Sequence, residues 1–63
     1  MFKENLKALR EERKLSQKQV AEKLSIPVST YANWEQGRTQ PSIEDIYRIL
    51  SLFEIEANEL FEM

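Results

Sequence analysis

The sequence predicts an all-α fold: a compact five-helix bundle forming a single domain over residues 1–63. Three observations lead there. Apolar residues recur at spacings of three and four, with no strand-like alternation anywhere in the chain. Helix start and stop signals (Ser16 with Gln19, Pro27, Gly37, Ser42) divide the chain into short segments. One glycine, two prolines and no cysteine leave helix packing as the means of stabilising a chain of 63 residues, a size that buries only about 60% of its unfolded surface.

Each element follows from local chemistry. Phe2, Leu6 and Leu9 fall at i, i+4 and i+7, and the first helix is expected to run to about Lys14, before Leu15 turns inward. Ser16 and Gln19 have capping-box spacing for a second helix, whose inward face is Val20, Ala21 and Leu24. Ser25-Ile26-Pro27 ends it, because proline disfavours helical angles at the residue before it. Pro27 also suits the first position of a third helix, where its missing N–H costs nothing. Tyr31 and Trp34 form the buried side of that helix, and Gly37 stands where a left-handed stop is needed. Ser42 caps a fourth helix, with Glu44 and Asp45 in its positive first turn. Its apolar stripe is read as Ile43, Ile46, Leu50 and Phe53, with Tyr47 and Ile49 on the flanks. Ile55 and the run Ala57–Phe61 mark a short fifth helix.

Charge and composition narrow the function. The net charge is −2, but it is unevenly distributed. Residues 1–40 carry eight Lys and Arg against five Glu, a balance of +3, whereas residues 41–63 carry Arg48 against six acids, a balance of −5. Such a chain can present a basic side to phosphates and turn the acidic side away. Without Cys or His, thiolate metal sites and most proton-shuttle catalysis are excluded. The acid pairs Glu44/Asp45 and Glu56/Glu59 are better explained by helix-start electrostatics than by a metal or an acid–base pair. No nucleophile–base pair or glycine-rich phosphate loop accompanies them, so neither enzymatic activity nor a cofactor is expected. No small-molecule pocket is recognisable. The charged start, MFKENLKALREERK, is neither a signal peptide nor a membrane span, which points to a cytoplasmic protein without a membrane partner.

The most informative stretch is SQKQVAEKLSIPVSTYANWEQGRTQP, residues 16–41. It reads as two helices joined by a tight turn, a helix-turn-helix over about 16–36. Ser29, Ala32, Asn33 and Gln36 share one face of the second of these helices at i, i+3, i+4 and i+7. A solvated face ordinarily carries Lys and Glu; this one offers amides, a hydroxyl and a methyl. Those groups suit base-pair edges, where a carboxylate would be repelled by phosphate.

The strings S-Q-x-x-V-A-E-K-L-x-I and S-T-x-x-x-W-E-x-G-R-x-x-P resemble the lambda-repressor-like family of bacterial and phage regulators, also called the Cro/C1 or xenobiotic-response-element type. The resemblance runs without gaps from Leu6 to Phe61. It implies five helices, with the second crossing the DNA backbone and the third lying in the major groove. It implies base-edge contacts for Val28, Ser29 and Asn33, with Ala32 beside them, and phosphate contacts for Gln17, Gln36, Arg38, Thr39 and Gln40. Arg10 and Glu35 match a family ion pair tying helix 1 to the end of helix 3. Leu9, Val20, Ala21, Leu24, Ile26, Tyr31, Ile43, Ile46, Leu50, Phe53 and Leu60 match core positions. Ser25 and Glu54 depart from the pattern by standing where the family usually has glycine. Pro27 and Val28 replace polar residues, which removes an N-cap hydroxyl and one candidate base reader.

The expected function is sequence-specific binding of double-stranded DNA by a transcriptional regulator, a repressor. The resemblance implies a homodimer on a near-palindromic site, with Ile55, Phe61 and Met63 as candidate dimer contacts. The alternative is a helix-turn-helix protein-interaction module, antitoxin-like or adaptor, with weak DNA affinity.

Overall fold

A computed structural model of the chain describes residues 2–61. Five helices follow one another: α1 (Phe2–Glu12), α2 (Gln17–Leu24), α3 (Val28–Gln36), α4 (Ile43–Phe53) and α5 (Ala57–Phe61). The starts of α2 and α4 are both capping boxes. Gln19 N–H donates to Ser16 Oγ at 3.0 Å and Ser16 N–H donates to Gln19 Oε1 at 2.8 Å. At α4, Asp45 N–H donates to Ser42 Oγ at 3.1 Å, and Ser42 N–H to Asp45 Oδ2 at 3.4 Å. Each box satisfies two amides that the helix itself cannot. Pro27 precedes α3 instead of opening it: its ψ of 145° is extended, while its carbonyl already accepts from Thr30 and Tyr31. No side chain caps α3.

The first four helices end in one and the same way. Lys14, Ser25, Gly37 and Glu54 all have left-handed backbone, with φ of 58°, 60°, 77° and 55°. In each case the next N–H reaches back five residues to a helix carbonyl: Leu15 to Arg10, Ile26 to Ala21, Arg38 to Asn33 and Ile55 to Leu50, at 2.9–3.2 Å. This is the Schellman stop, which customarily tucks an apolar residue beneath the helix end. Leu15, Ile26 and Ile55 do this, packing against the core. The stop at Lys14 brings α1 to an end at Glu12, two residues earlier than the sequence suggested. Only one of the four stops uses glycine, and a left-handed non-glycine residue costs about 1–2 kcal/mol.

All five helices supply the core. Leu6, Val20, Ala21, Leu24, Tyr31, Trp34, Ile49, Phe53 and Leu60 are buried, with Leu9, Ile46 and Leu50 packed around them. The expected stripe on α4 needs correction. Ile49 is fully buried, whereas Ile43, expected in the core, is 72% exposed and Tyr47 is 67% exposed. The helical angle explains the difference. At about 100° per residue the buried face is centred between Ile49 and Phe53, and Ile43 lies roughly 120° round from Ile49.

Polar ties cross between helices at the rim of this core. Arg48 donates to the Leu24 carbonyl, joining α4 to the end of α2. Arg13 donates to the Phe53 carbonyl at 2.8 Å, and its guanidinium lies 5.0 Å from the centroid of the Phe53 ring. Asn5 donates to the Leu60 carbonyl at 2.9 Å, which holds α5 on α1. Among the described residues, no helix is long and apolar enough to cross a membrane.

Candidate nucleic-acid interface

The two faces of α3 are sharply different. Tyr31 and Trp34 are buried and meet edge to face at 6.0 Å, which fixes the inward side. Val28 (45% exposed), Ser29 and Gln36 are exposed, and Ala32 and Asn33 are half-buried. Val28, Ser29, Ala32 and Asn33 are the residues at which base-edge contacts are expected, and Gln36, at the helix end, is the first of the expected phosphate contacts beyond them. The expected phosphate-contacting segment continues directly from there, since Arg38, Thr39 and Gln40 are all exposed. Gly37 sets its course. With φ of 77° it turns the chain out of α3, and the Arg38 N–H bond to the Asn33 carbonyl at 2.9 Å fixes the exit. At this one Schellman stop the residue after the left-handed position is an exposed cation instead of an apolar anchor.

Beneath this surface lies a four-residue network centred on Glu35, the only charged residue of α3. Arg10 donates to both of its carboxylate oxygens, Nε to Oε2 at 2.6 Å and Nη2 to Oε1 at 3.1 Å. Tyr31 OH donates to Oε2 at 2.5 Å, and Gln17 Nε2 donates to Oε1 at 3.0 Å. The third arm of Arg10, Nη1, donates to the Leu15 carbonyl at 2.8 Å. The side chains of Arg10 and Glu35 retain only 12% and 4% of their accessible surface. Geometry this complete is what a half-buried ion pair requires to offset its desolvation.

The titrations follow from that geometry. Burial pushes the Glu35 carboxyl up, but hydrogen bonds from Arg10, Tyr31 and Gln17 outweigh it and hold the group below its ordinary value. Burial and then the bond to Glu35 raise the Tyr31 phenol, while the bond to Glu35 raises Arg10 despite its burial. Glu35 is therefore an anion turned inward, and the exposed side of α3 has no charge of its own.

The Arg10–Glu35 pair that the family resemblance implies is present, and Tyr31 and Gln17, expected in other roles, join it. Tyr31 is expected in the core; its position four residues before Glu35, on the same helix face, is the signal for its further bond to Glu35. Gln17 is expected at phosphate from the resemblance. One of its two amide hydrogens goes to Glu35, which holds the first residue of α2 against the end of α3. The dimer candidates are more dispersed. Ile55 is half-buried against the core, Phe61 is 45% exposed and stacks on Phe2 at 5.4 Å, and Met63 lies outside the described residues.

Known proteins resemble this chain in sequence and in fold. The helix-turn-helix family model matches residues 6–60. The chain is 32% identical over 62 residues to an uncharacterised HTH-type transcriptional regulator, YqaE, of Bacillus subtilis, covering 98% of this chain and 53% of that protein. It is 37% identical over 59 residues to the HTH-type transcriptional regulator DdrOP3 of Deinococcus deserti, covering 94% and 46%. It is 34% identical over 59 residues to the HTH-type transcriptional activator BcrR of Enterococcus faecalis, covering 94% and 29%. The chain thus spans about half the length of these relatives or less. A crystal structure of a transcriptional regulator from Listeria innocua superposes with a TM-score of 0.87 at 37% identity, covering 95% of this chain and 56% of that one. By sequence, fold and the geometry of α2 and α3, the chain belongs to the Cro/C1-type helix-turn-helix family.

Proposed function

We propose that this protein binds double-stranded DNA sequence-specifically as a transcriptional regulator, with α3 in the major groove. The observation that carries the reading is the disposal of charge on α3. Its one carboxylate, Glu35, is bound by Arg10, Tyr31 and Gln17, leaving Val28, Ser29, Ala32 and Asn33 as an uncharged face. Asn33 has the donor and acceptor for a bidentate contact to adenine, Ser29 a hydroxyl that serves either base edge, and Val28 and Ala32 apolar surface for a thymine methyl. Gln17, Gln36, Arg38, Thr39 and Gln40 supply phosphate contacts that fix register without reading sequence.

One domain reads few base pairs, so we assign the protein a homodimer on a near-palindromic site, with half-sites about one helical turn apart. Ile55, Phe61 and Met63 are the contacts we favour. We assign repression, by a bound protein that excludes others from a promoter, as the mode of action, and the cytoplasm as its place.

Salt tests the binding mode. Affinity for a duplex should fall steeply as salt rises, because each neutralised phosphate releases counterions. The acidic balance of residues 41–63 and the exposed Ile43 and Tyr47 favour the second reading, a protein-interaction module. Duplex binding that is absent at 50 mM salt would select that reading.

A further inference from the structure

We propose that Lys3, at the N-terminal end of α1, is a phosphate-contacting residue that extends the DNA interface beyond the helix-turn-helix. The proposal rests on the DNA-binding reading and adds a contact from a different helix. Lys3 lies against the loop that leaves α3. A β-carbon at Gly37 would sit 3.0 Å from Lys3 Cδ and 3.4 Å from its Nζ, so the lysine stem crosses the glycine and its ammonium stands beside the loop. Phe2, Lys3, Glu4, Gly37 and Gln40 line one open depression there.

Three features make this corner suited to a phosphate. Lys3 is exposed and forms no ion pair among the described residues, in contrast to Arg10, Arg13 and Arg48. Thr39 and Gln40 are exposed, and no backbone carbonyl among the described residues accepts from their N–H groups. Arg38, the exposed cation at the α3 exit, adds a second positive charge to the same segment. An ammonium, a guanidinium and free amides on adjacent backbone are the donor types that duplex phosphates receive. Glu4 opposes them from the same depression, so it weakens the site. A β-carbon at residue 37 would crowd the Lys3 stem and displace it by a few tenths of an ångström, so glycine suits this position on that count as well as for its left-handed turn.

The test is a salt titration of duplex binding by the whole chain, comparing the parent with Lys3→Ala, Lys3→Arg and Glu4→Gln, on both a selected site and an unrelated duplex. Loss of one phosphate contact per subunit should reduce the slope of log affinity against log salt by about 0.9 for each bound subunit, hence by about 1.8 for the homodimer, an affinity loss of about 60-fold at 0.1 M that fades towards 1 M. Lys3→Ala should show this equally on both duplexes, Lys3→Arg should retain the parental slope, and Glu4→Gln should bind more tightly than the parent. Circular dichroism melts should match throughout, since Lys3 is not packed in the core. If Lys3→Ala keeps the parental slope while Arg38→Ala lowers it, the Lys3 assignment is overturned and the DNA-binding reading stands. If the parent itself does not bind duplex, both fall together.

Discussion

Replacing Glu35 with alanine tests the link between the buried network and the surface above it. The carboxylate has four donor contacts, two from Arg10 and one each from Tyr31 and Gln17. Its removal strands a guanidinium whose side chain is only 12% exposed, together with a buried phenol. Breaking a buried pair from one side costs about 3–5 kcal/mol. A chain of 63 residues has roughly 3–9 kcal/mol in total, so Glu35→Ala should lose about a third of its stability or more, and should unfold if the parent lies at the low end of that range. Urea denaturation followed by the fluorescence of Trp34, the only tryptophan and itself buried, reads the loss directly. The double variant Arg10→Met/Glu35→Leu removes both charges and should recover most of the stability, since apolar replacement of a whole pair is often close to neutral. Stability of Glu35→Ala within about 1 kcal/mol of the parent would refute the reasoning. So would a double variant as unstable as the single one, because the cost would not then lie in the stranded charge. The same network sets an acid limit. The Glu35 carboxyl is depressed below its ordinary value of 4.5 on folding, so its contribution is complete above that value and is lost as pH falls through the lower, folded one.

Other outcomes follow from particular residues. Ser25→Gly and Glu54→Gly should each raise stability in urea melts by about 1 kcal/mol, because both positions are left-handed; a loss in both would mean that their side chains contribute more than the strain costs. Trp34→Ala should cost about 3–5 kcal/mol, read as a fall in the thermal midpoint by circular dichroism, with an unchanged midpoint contradicting its place in the core. Gln17→Ala should weaken binding to all duplexes by a similar factor, and a loss confined to one sequence would remove it from the backbone contacts.

The five helices were legible because α2 and α4 start at capping side chains, Pro27 marks the approach to α3, and the apolar faces have a helical period. Ser16 with Gln19, and Ser42, mark starts that the capping boxes bear out. The Arg10–Glu35 pair was legible only through its family resemblance, since the two residues are 25 positions apart. Local pattern failed where three-dimensional context decides. Nothing local marks Lys14 as left-handed; the turn is set by the need to bring Leu15 back under α1. On α4 the helical period identified an apolar side but not its centre, because seven of the eleven residues are apolar and the stripe could be centred in several ways. The place of Lys3 beside Gly37 joins α1 to the loop after α3 and leaves no trace in spacing.

The central claim is that the uncharged face of α3 reads base pairs. Selection of bound sites from a random duplex pool, run in parallel on the parent and on Asn33→Ala, tests it most directly. The parent should enrich a near-palindromic sequence with half-site centres about 34–36 Å apart. Asn33→Ala should relax one or two positions in each half-site, each worth about 1–3 kcal/mol, and leave the spacing unchanged. No enrichment by the parent, or the same base preferences in the two proteins, would contradict the claim that α3 reads DNA through Asn33.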